Sequence, residues 1–184
     1  MSVFDPTTFP LAIAELLRAE RLPPLGPGKP DVAMRPRLEA LSGDTAFAPH
    51  RVRDRAMADA CRAGLWLWFD FLDESHTISQ DLSSVEGSYW HAILHRREPD
   101  ASNSAYWFRR VGQHPVFETL AKDAREFGLQ TRSDRWDPCG FIDLCERQRG
   151  TGSEEEVLLC RVQRREWQLL FDWCFREATH ESKA

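Results

Sequence analysis

Apolar side chains recur every three or four residues along most of this chain, the spacing that places them on one face of an α-helix. Runs of alternating apolar and polar residues, which are typical of strands, are missing from the sequence. The pattern therefore predicts an all-α fold, a single-domain bundle of about six or seven helices. The most apolar stretch, CRAGLWLWFDFL, falls within residues 55–74. Because it is apolar on nearly every side, we expect residues 55–74 to form one central helix surrounded by the others.

Capping residues, glycines and prolines predict where the remaining helices begin and end. Thr8 is the expected cap of a first helix that reaches residue 20. Ser83 and Glu86 form an S-x-x-E capping box ahead of a helix that runs to about residue 97. Asn103 or Ser104 is the expected cap of the next helix. In the second half of the chain the expected helix starts are Pro115, Pro138 and Ser153, and the expected helix ends are Gly112, Gly128 and Gly150.

A proline- and glycine-rich segment separates the N-terminal region from the main body. The run LPPLGPGKP holds four prolines and two glycines, a composition that excludes regular secondary structure. It lies too early in the chain to divide two domains of ordinary size. We therefore expect one helical domain over residues 1–184, with an N-terminal helix and connector in residues 1–50 and the main bundle in residues 51–184.

Composition and charge argue against several classes of function. The chain is 42% hydrophobic and 29% charged, which is typical of a globular protein and not of a disordered one. Its net charge of −5, without a long basic run, argues against nucleic-acid binding, which requires a positive surface. The N-terminus lacks a signal-peptide pattern, and no apolar run approaches the ~20 residues of a membrane span. We expect neither a nucleic-acid nor a membrane partner.

The cysteines indicate a reducing compartment. There are five of them, an odd number, and no C-x-x-C pair suggests a structural zinc site. Unpaired thiols of this kind predict a cytoplasmic protein. Cys139 follows Trp-Asp-Pro at a helix start, where the pKa of a thiol can fall, but a packed thiol is the favoured interpretation.

One polar stretch, residues 73–114, concentrates the side chains that chemistry uses. It contains four of the six histidines and four arginines, interleaved with tyrosine and tryptophan. Such a mixture is more typical of a pocket lining than of a solvated face. On a helical wheel of residues 85–98, His91, His95 and Glu98 fall opposite the apolar stripe. The pattern leaves open whether that face is buried, lines a pocket or contacts water.

His91 and His95 are four residues apart, so both imidazoles can approach one ion. Glu98 offers an oxygen on the same face, and His76 offers a further nitrogen from the preceding helix. The sequence thus predicts either a divalent-metal site at His91, His95 and Glu98 or acid–base catalysis by His76, His91 and His95. A third interpretation, purely structural histidines, stays open because H-x-x-x-H is common by chance.

The arginines of this stretch suit two roles. Asp70 lies in the most apolar stretch, and Arg96 and Arg97 fall beside the apolar half of the following helix. An ion pair between Asp70 and an arginine is the favoured structural interpretation. Arginines that no carboxylate uses would hold an anionic group. The residues predicted to bind a small polar or anionic ligand are Arg96, Arg97, Tyr106, Trp107, Arg109 and Arg110.

The same stretch carries a recognisable block of sequence. SYWHAILHRREPD from Ser88, followed by Asn103 and by YWFRRVGQHP from Tyr106, resembles a block found in an uncharacterised family of microbial proteins. The resemblance covers residues 74–115. It implies no activity, because none is known for that family.

Three functional interpretations follow, from different classes. The first is a small-molecule-binding protein or enzyme whose His, Arg and acidic side chains form a polar pocket in residues 73–114. The second is a metal-dependent enzyme that uses the His91/His95 pair. The third is a non-catalytic structural or interaction protein. The first ranks ahead, because binding sites favour clustered charged and aromatic groups near helix ends and loops.

Overall fold

The computed structural model describes residues 4–41, 43–131 and 133–180, and these ranges contain helices and no strand. The all-α prediction is confirmed, but these ranges hold nine α-helices instead of six or seven. None of them combines the length and the apolar composition that crossing a bilayer requires. The helices are α1 (Leu11–Leu17), α2 (Arg35–Ala40), α3 (Arg55–Trp68), α4 (Leu72–Asp81), α5 (Val85–Arg97), α6 (Ala101–Val111), α7 (Val116–Glu126), α8 (Pro138–Gln148) and α9 (Glu154–Thr179).

The expected central helix is divided in two. α3 ends at Trp68 and α4 begins at Leu72. Between them Asp70 adopts a φ of 66°, a left-handed conformation that aspartate tolerates better than most residues. In this position the Asp70 carboxylate accepts hydrogen bonds from Arg97 and Arg21. The prediction of one helix over residues 55–74 is therefore wrong, because helical periodicity does not encode a break that serves a buried ion pair.

Several predicted helix ends are correct. Ser153 caps α9, Pro138 opens α8, and Gly112 closes α6 with a φ of 64°. Thr8 instead ends a short 3-10 turn, and Pro10 precedes α1. Local signals therefore located most helix boundaries in the second half of the chain.

Two caps were assigned to the wrong neighbour. Ser84, not Ser83, caps α5 by accepting a backbone N–H of its first turn at 3.0 Å. Asp100 caps α6 in place of Asn103 or Ser104. Each of these residues has a side chain able to cap, so sequence alone does not decide among adjacent ones.

Helices α3 and α5 lie together at the centre of the bundle. α3 packs against α4, α5 and α9, and α5 packs against α4 and α6 as well. Every residue of α5 from 87 to 97 is buried, including the face that carries the histidines. One continuous cluster of buried apolar side chains runs from Phe9 to Ala178, so the N-terminal segment and the bundle share a core.

The proline-rich connector is attached to the bundle through its backbone carbonyls. Gly28 has a φ of 75°, and a Cβ there would lie 2.6 Å from the carboxyl carbon of Asp70, so only glycine fits. The bonds that hold the connector are Arg97 Nε to Gly26 O at 3.1 Å, Gln163 Nε2 to Pro24 O at 2.9 Å and Arg149 Nε to Leu25 O at 3.4 Å. Side chains thus satisfy carbonyls that no helix or strand uses.

Candidate metal centre

Three histidines from two consecutive helices meet inside the bundle. His76 lies on α4, and His91 and His95 lie on α5 one helical turn apart. α4 and α5 pack against each other after a short turn, which brings His76 to the histidine face of α5. We call these three residues the histidine cluster.

The nitrogens of the histidine cluster are close enough to share one ion. Each residue offers one ring nitrogen, and these three atoms all lie within 4.8 Å of one another. The ring centroids are 4.6 Å apart for His76 and His91, 4.8 Å for His91 and His95, and 5.6 Å for His76 and His95. Glu98 is not part of this set, which corrects its predicted place among the metal ligands.

The histidine cluster is buried on the side of α5 and more open on the side of α4. His91 is 3% exposed and His95 is 8% exposed, whereas His76 is half-buried. Nδ1 of His91 is buried and has no well-formed hydrogen bond within the described part of the chain. The face that the helical wheel left undecided is therefore an interior one, with its contact to solvent at His76.

Burial keeps the two imidazoles of α5 neutral. Desolvation, with the neighbouring His76 and His95 as smaller causes, lowers the pKa of His91 to about 4, while the Ser79 backbone acts in the opposite direction. Desolvation is also the largest cause of a lowered pKa at His95, opposed by the charge of Glu98. Neutral imidazole is the form that binds metal ions, because each ring then has a free nitrogen lone pair.

Glu98 contacts the histidine cluster from outside. Its Oε2 lies 3.1 Å from Nδ1 of His95, with a geometry outside that of a well-formed hydrogen bond. A carboxylate at one imidazole nitrogen favours the tautomer that leaves the other nitrogen as an acceptor, and it orients the ring. Glu98 therefore has the position of an outer partner of His95.

An aromatic wall covers the histidine cluster on the side of α6. The rings of Trp107 and His91 stack with centroids 4.1 Å apart and planes 20° apart. Tyr106 meets Trp107 edge-on at 5.4 Å, and the Arg110 guanidinium lies 5.3 Å from the centre of the Trp107 ring. Of the residues predicted to bind a ligand, Trp107 thus contacts the histidine cluster, and Tyr106 and Arg110 contact Trp107.

The other predicted ligand-binding arginines lie elsewhere. Arg97 pairs with Asp70 at 2.5 Å, which confirms the expected ion pair, and it also donates to three backbone carbonyls. Arg96 pairs with Glu166 at 2.5 Å. Both arginines are 2% exposed or less, so neither is available to an external ligand, and the ligand-binding prediction for this pair is corrected. Arg109 is exposed. Its positive charge partly offsets the burial that raises the pKa of Cys139 at the start of α8. Cys139 is itself exposed, which corrects the expectation of a packed thiol.

Two serines that position the site carry no recognisable signal in the sequence. Ser104 is fully buried and donates to the Ala92 carbonyl at 2.8 Å, which holds α6 against α5 and so sets the distance of Trp107. Ser79 is fully buried on α4 beside His91. Small polar residues at helix contacts are visible only once the packing is known.

Comparisons with protein-family models, with curated proteins and with solved structures find no match.

Proposed function

We propose that the protein is a metal-dependent enzyme that binds one first-row divalent transition-metal ion, zinc foremost, through His76, His91 and His95. The observation that supports this proposal is the set of three imidazole nitrogens within 4.8 Å of one another. No carboxylate belongs to that set, and imidazole is a ligand that suits zinc, copper, iron and nickel better than magnesium or calcium.

The distances between the three imidazole nitrogens suit a metal ion after a small adjustment of the side chains. Bonds of about 2.0–2.1 Å to a tetrahedral zinc ion place two nitrogen ligands about 3.3 Å apart. The largest separation in the histidine cluster is 4.8 Å, so rotations of the side chains that move the nitrogens by about 1 Å close the set. The half-buried His76 has the most room for such a rotation.

Three protein ligands favour a catalytic centre over a structural one. Structural zinc sites have four protein ligands, whereas catalytic sites have three and keep one position for water or substrate. The exposed side of His76 is where that position would reach solvent. Bound zinc lowers the pKa of its water to about 7, which supplies a nucleophile for hydrolysis near neutral pH.

The residues around the histidine cluster would support that role. Glu98 beside Nδ1 of His95 leaves Nε2 as the nitrogen for the ion and raises its basicity. Trp107 stacked on His91 restricts the ring and excludes water from one side.

Metal binding is tested by titrating chelator-treated protein with zinc in a calorimeter. We expect one equivalent to bind, and a higher melting temperature with zinc because the ion binds only the folded chain. His91→Ala and His76→Ala should each abolish stoichiometric binding, and the half-buried His76 gives the variant with less risk to folding. His180→Ala, at the exposed end of α9, is the matched control and should still bind one equivalent.

One outcome of this titration would contradict the proposal of a metal site. A folded wild-type protein that binds no stoichiometric zinc, cobalt or nickel would falsify the proposal. Cobalt-loaded protein tests separately whether the centre is catalytic. Azide that binds at an open coordination position changes the visible absorption of the cobalt ion. A cobalt spectrum that azide leaves unchanged would mean a closed structural site instead of a catalytic one.

Glu98→Gln should weaken zinc binding without changing its stoichiometry. Outer-shell partners of metal-bound histidine typically contribute about 10–100-fold in affinity, and we expect a loss in that range. Competition with a chromogenic chelator measures the change. Glu118→Gln on the exposed face of α7 is the control and should leave the affinity unchanged. Equal affinities for the two variants would remove Glu98 from the site.

A further inference from the structure

His114 lies at the point where α5, α7 and α9 meet. It belongs to the turn of residues 112–115 between α6 and α7, and its side chain is 2% exposed. Its ring centroid is 5.3 Å from that of Tyr89 on α5, 5.4 Å from that of Trp173 on α9 and 6.1 Å from that of Phe117 on α7. Because the ring is enclosed in this way, its hydrogen-bond partners are groups that the surrounding helices supply.

The neutral form of His114 caps α7. Its Nδ1 accepts the backbone N–H of Val116 at 3.2 Å. Val116 is the first residue of α7, and the first N–H groups of a helix have no partner within the helix. Pro115, which precedes α7, makes no side-chain hydrogen bond to this turn. An imidazole accepts at Nδ1 only when its proton is on Nε2, so the bond to Val116 requires neutral His114 in that tautomer.

The other nitrogen of His114 faces a carboxylate. Nε2 lies 3.6 Å from Oε1 of Glu86, in the first turn of α5, with a geometry outside that of a well-formed hydrogen bond. Glu86 also accepts the indole N–H of Trp173 at 3.0 Å. Burial acts to raise the pKa of Glu86, but its contacts with His114, with Trp173 and with its own backbone outweigh burial and lower that pKa. Glu86 is therefore a carboxylate at neutral pH.

The charged and titratable groups that face His114 lie on α5 and around a neighbouring cavity. On α5 they are Glu86 and Tyr89, whose hydroxyl stays neutral because burial raises its pKa well above the ordinary value. On α9 the facing side chain is the uncharged indole of Trp173. His114 also lines a cavity of about 540 Å³. The other charged residues that line this cavity are Glu118, Asp134 and Arg135. Carboxylates outnumber cations in this set, so nearby negative charge would compensate a proton gained by His114.

We infer that His114 is a pH-dependent switch: when neutral it caps α7, and when protonated it pairs with Glu86 and releases the first turn of α7. Histidine is the side chain that ordinarily changes its charge between about pH 5 and pH 8. Both nitrogens of the protonated ring carry hydrogen, so Nδ1 becomes a second donor facing the N–H of Val116, and that bond is lost. Nε2 then gains a charge-assisted bond to Glu86.

Release of this turn would alter one wall of the cavity, because Phe117 and Glu118 of α7 line it. The inference is independent of the metal proposal, since His114 is not a member of the histidine cluster.

Nuclear magnetic resonance of the full chain tests the switch. Long-range proton–nitrogen spectra report the protonation of each His114 nitrogen. Hydrogen exchange, corrected for the intrinsic pH dependence of exchange, reports the protection of the Val116 amide. On acidification from about pH 8 to pH 5 we expect the shifts of the two His114 nitrogens to converge, and the protection of Val116 to fall several-fold over the same interval. Protection that does not follow the titration of His114 would overturn the inference, and so would a His114 that stays neutral throughout.

Two variants separate the capping bond from the ion pair. His114→Asn keeps a side-chain acceptor for the N–H of Val116 but cannot take up a proton, so the protection of Val116 should be the same at both ends of the pH range. Glu86→Gln removes the charge but keeps an acceptor for Trp173, so the fall in protection should shift to lower pH. Glu177→Gln, at an exposed position of α9, is the matched control and should behave as the wild type does. A fall in protection that persists in His114→Asn, or that Glu86→Gln leaves at the same pH, would overturn the roles assigned to these residues.

Discussion

Replacing Asp70 by Asn is expected to lower the free energy of unfolding by about 3 kcal/mol, the lower end of the range for removing one charge of a buried ion pair. Asn keeps the shape of the side chain and tolerates the left-handed backbone at this position equally well, so the substitution removes little besides charge. Arg97 would remain 2% exposed without its carboxylate. Its bonds to the carbonyls of Gly26, Pro27 and Leu67 persist and moderate the loss.

Urea denaturation measures the effect, and Asp31→Asn supplies the control. Asp31 faces the same Arg21 as Asp70 does, at 3.5 Å, but its side chain is 34% exposed. An ion pair of that kind contributes about 0–1 kcal/mol, so the control should unfold close to the wild type. If both variants had the same denaturation midpoint, the buried pair would not stabilise the junction of α3 and α4.

Replacing Glu166 by Gln is expected to cost more, about 5 kcal/mol, at the upper end of the same range. Glu166 and Arg96 are both 0% exposed, and their contact at 2.5 Å joins α9 to α5. Nε and Nη1 of Arg96 have no hydrogen-bond partner within the described residues and face aromatic rings, with Phe141 4.7 Å from the guanidinium. Arg96 therefore depends on its carboxylate more than Arg97 does on Asp70.

The control for this substitution lies on the same helix. Glu177→Gln changes an exposed residue of α9, and its free energy of unfolding should stay within about 0.5 kcal/mol of the wild type. The order of the two buried substitutions is itself testable by urea denaturation. If Asp70→Asn proved more destabilising than Glu166→Gln, the backbone carbonyls around Arg97 would be less effective partners than the structure indicates. Tyr89, whose hydroxyl donates to Glu166 at 3.1 Å, gives a near-ultraviolet signal for the same region.

The two buried arginines show how far the sequence supports prediction of contacts. An Asp70–arginine pair was predictable, because an aspartate in an apolar stretch and arginines beside an apolar stripe both require a partner. The partner of Arg96 was not, because Glu166 lies 70 residues away on a helix whose polar residues gave no sign of burial. Arg165 on the same helix is buried as well and pairs with Asp123 at 2.6 Å. A charged side chain in an amphipathic pattern looks the same whether water or a carboxylate faces it.

The candidate metal centre was likewise predictable only in part. His91 and His95 were expected together because a helical turn brings them to one side, which depends only on local geometry. The close approach of His76 depends on how α4 folds back on α5. The stacking of Trp107 on His91 depends on α6 lying against α5.

Local interactions thus account for the features of this protein that could be predicted from its sequence. These are the helical class, most helix ends in the second half of the chain and the proximity of His91 and His95. Hydrogen bonds of a helix turn, caps and contacts one turn apart all act within a few residues, and the residue types that make them are recognisable. Packing decided the break between α3 and α4, the burial of the histidine face, the third nitrogen at the candidate centre and the partners of the buried arginines. Those features depend on helices distant in sequence excluding water from the same place, and no short pattern of residues records which helices will meet.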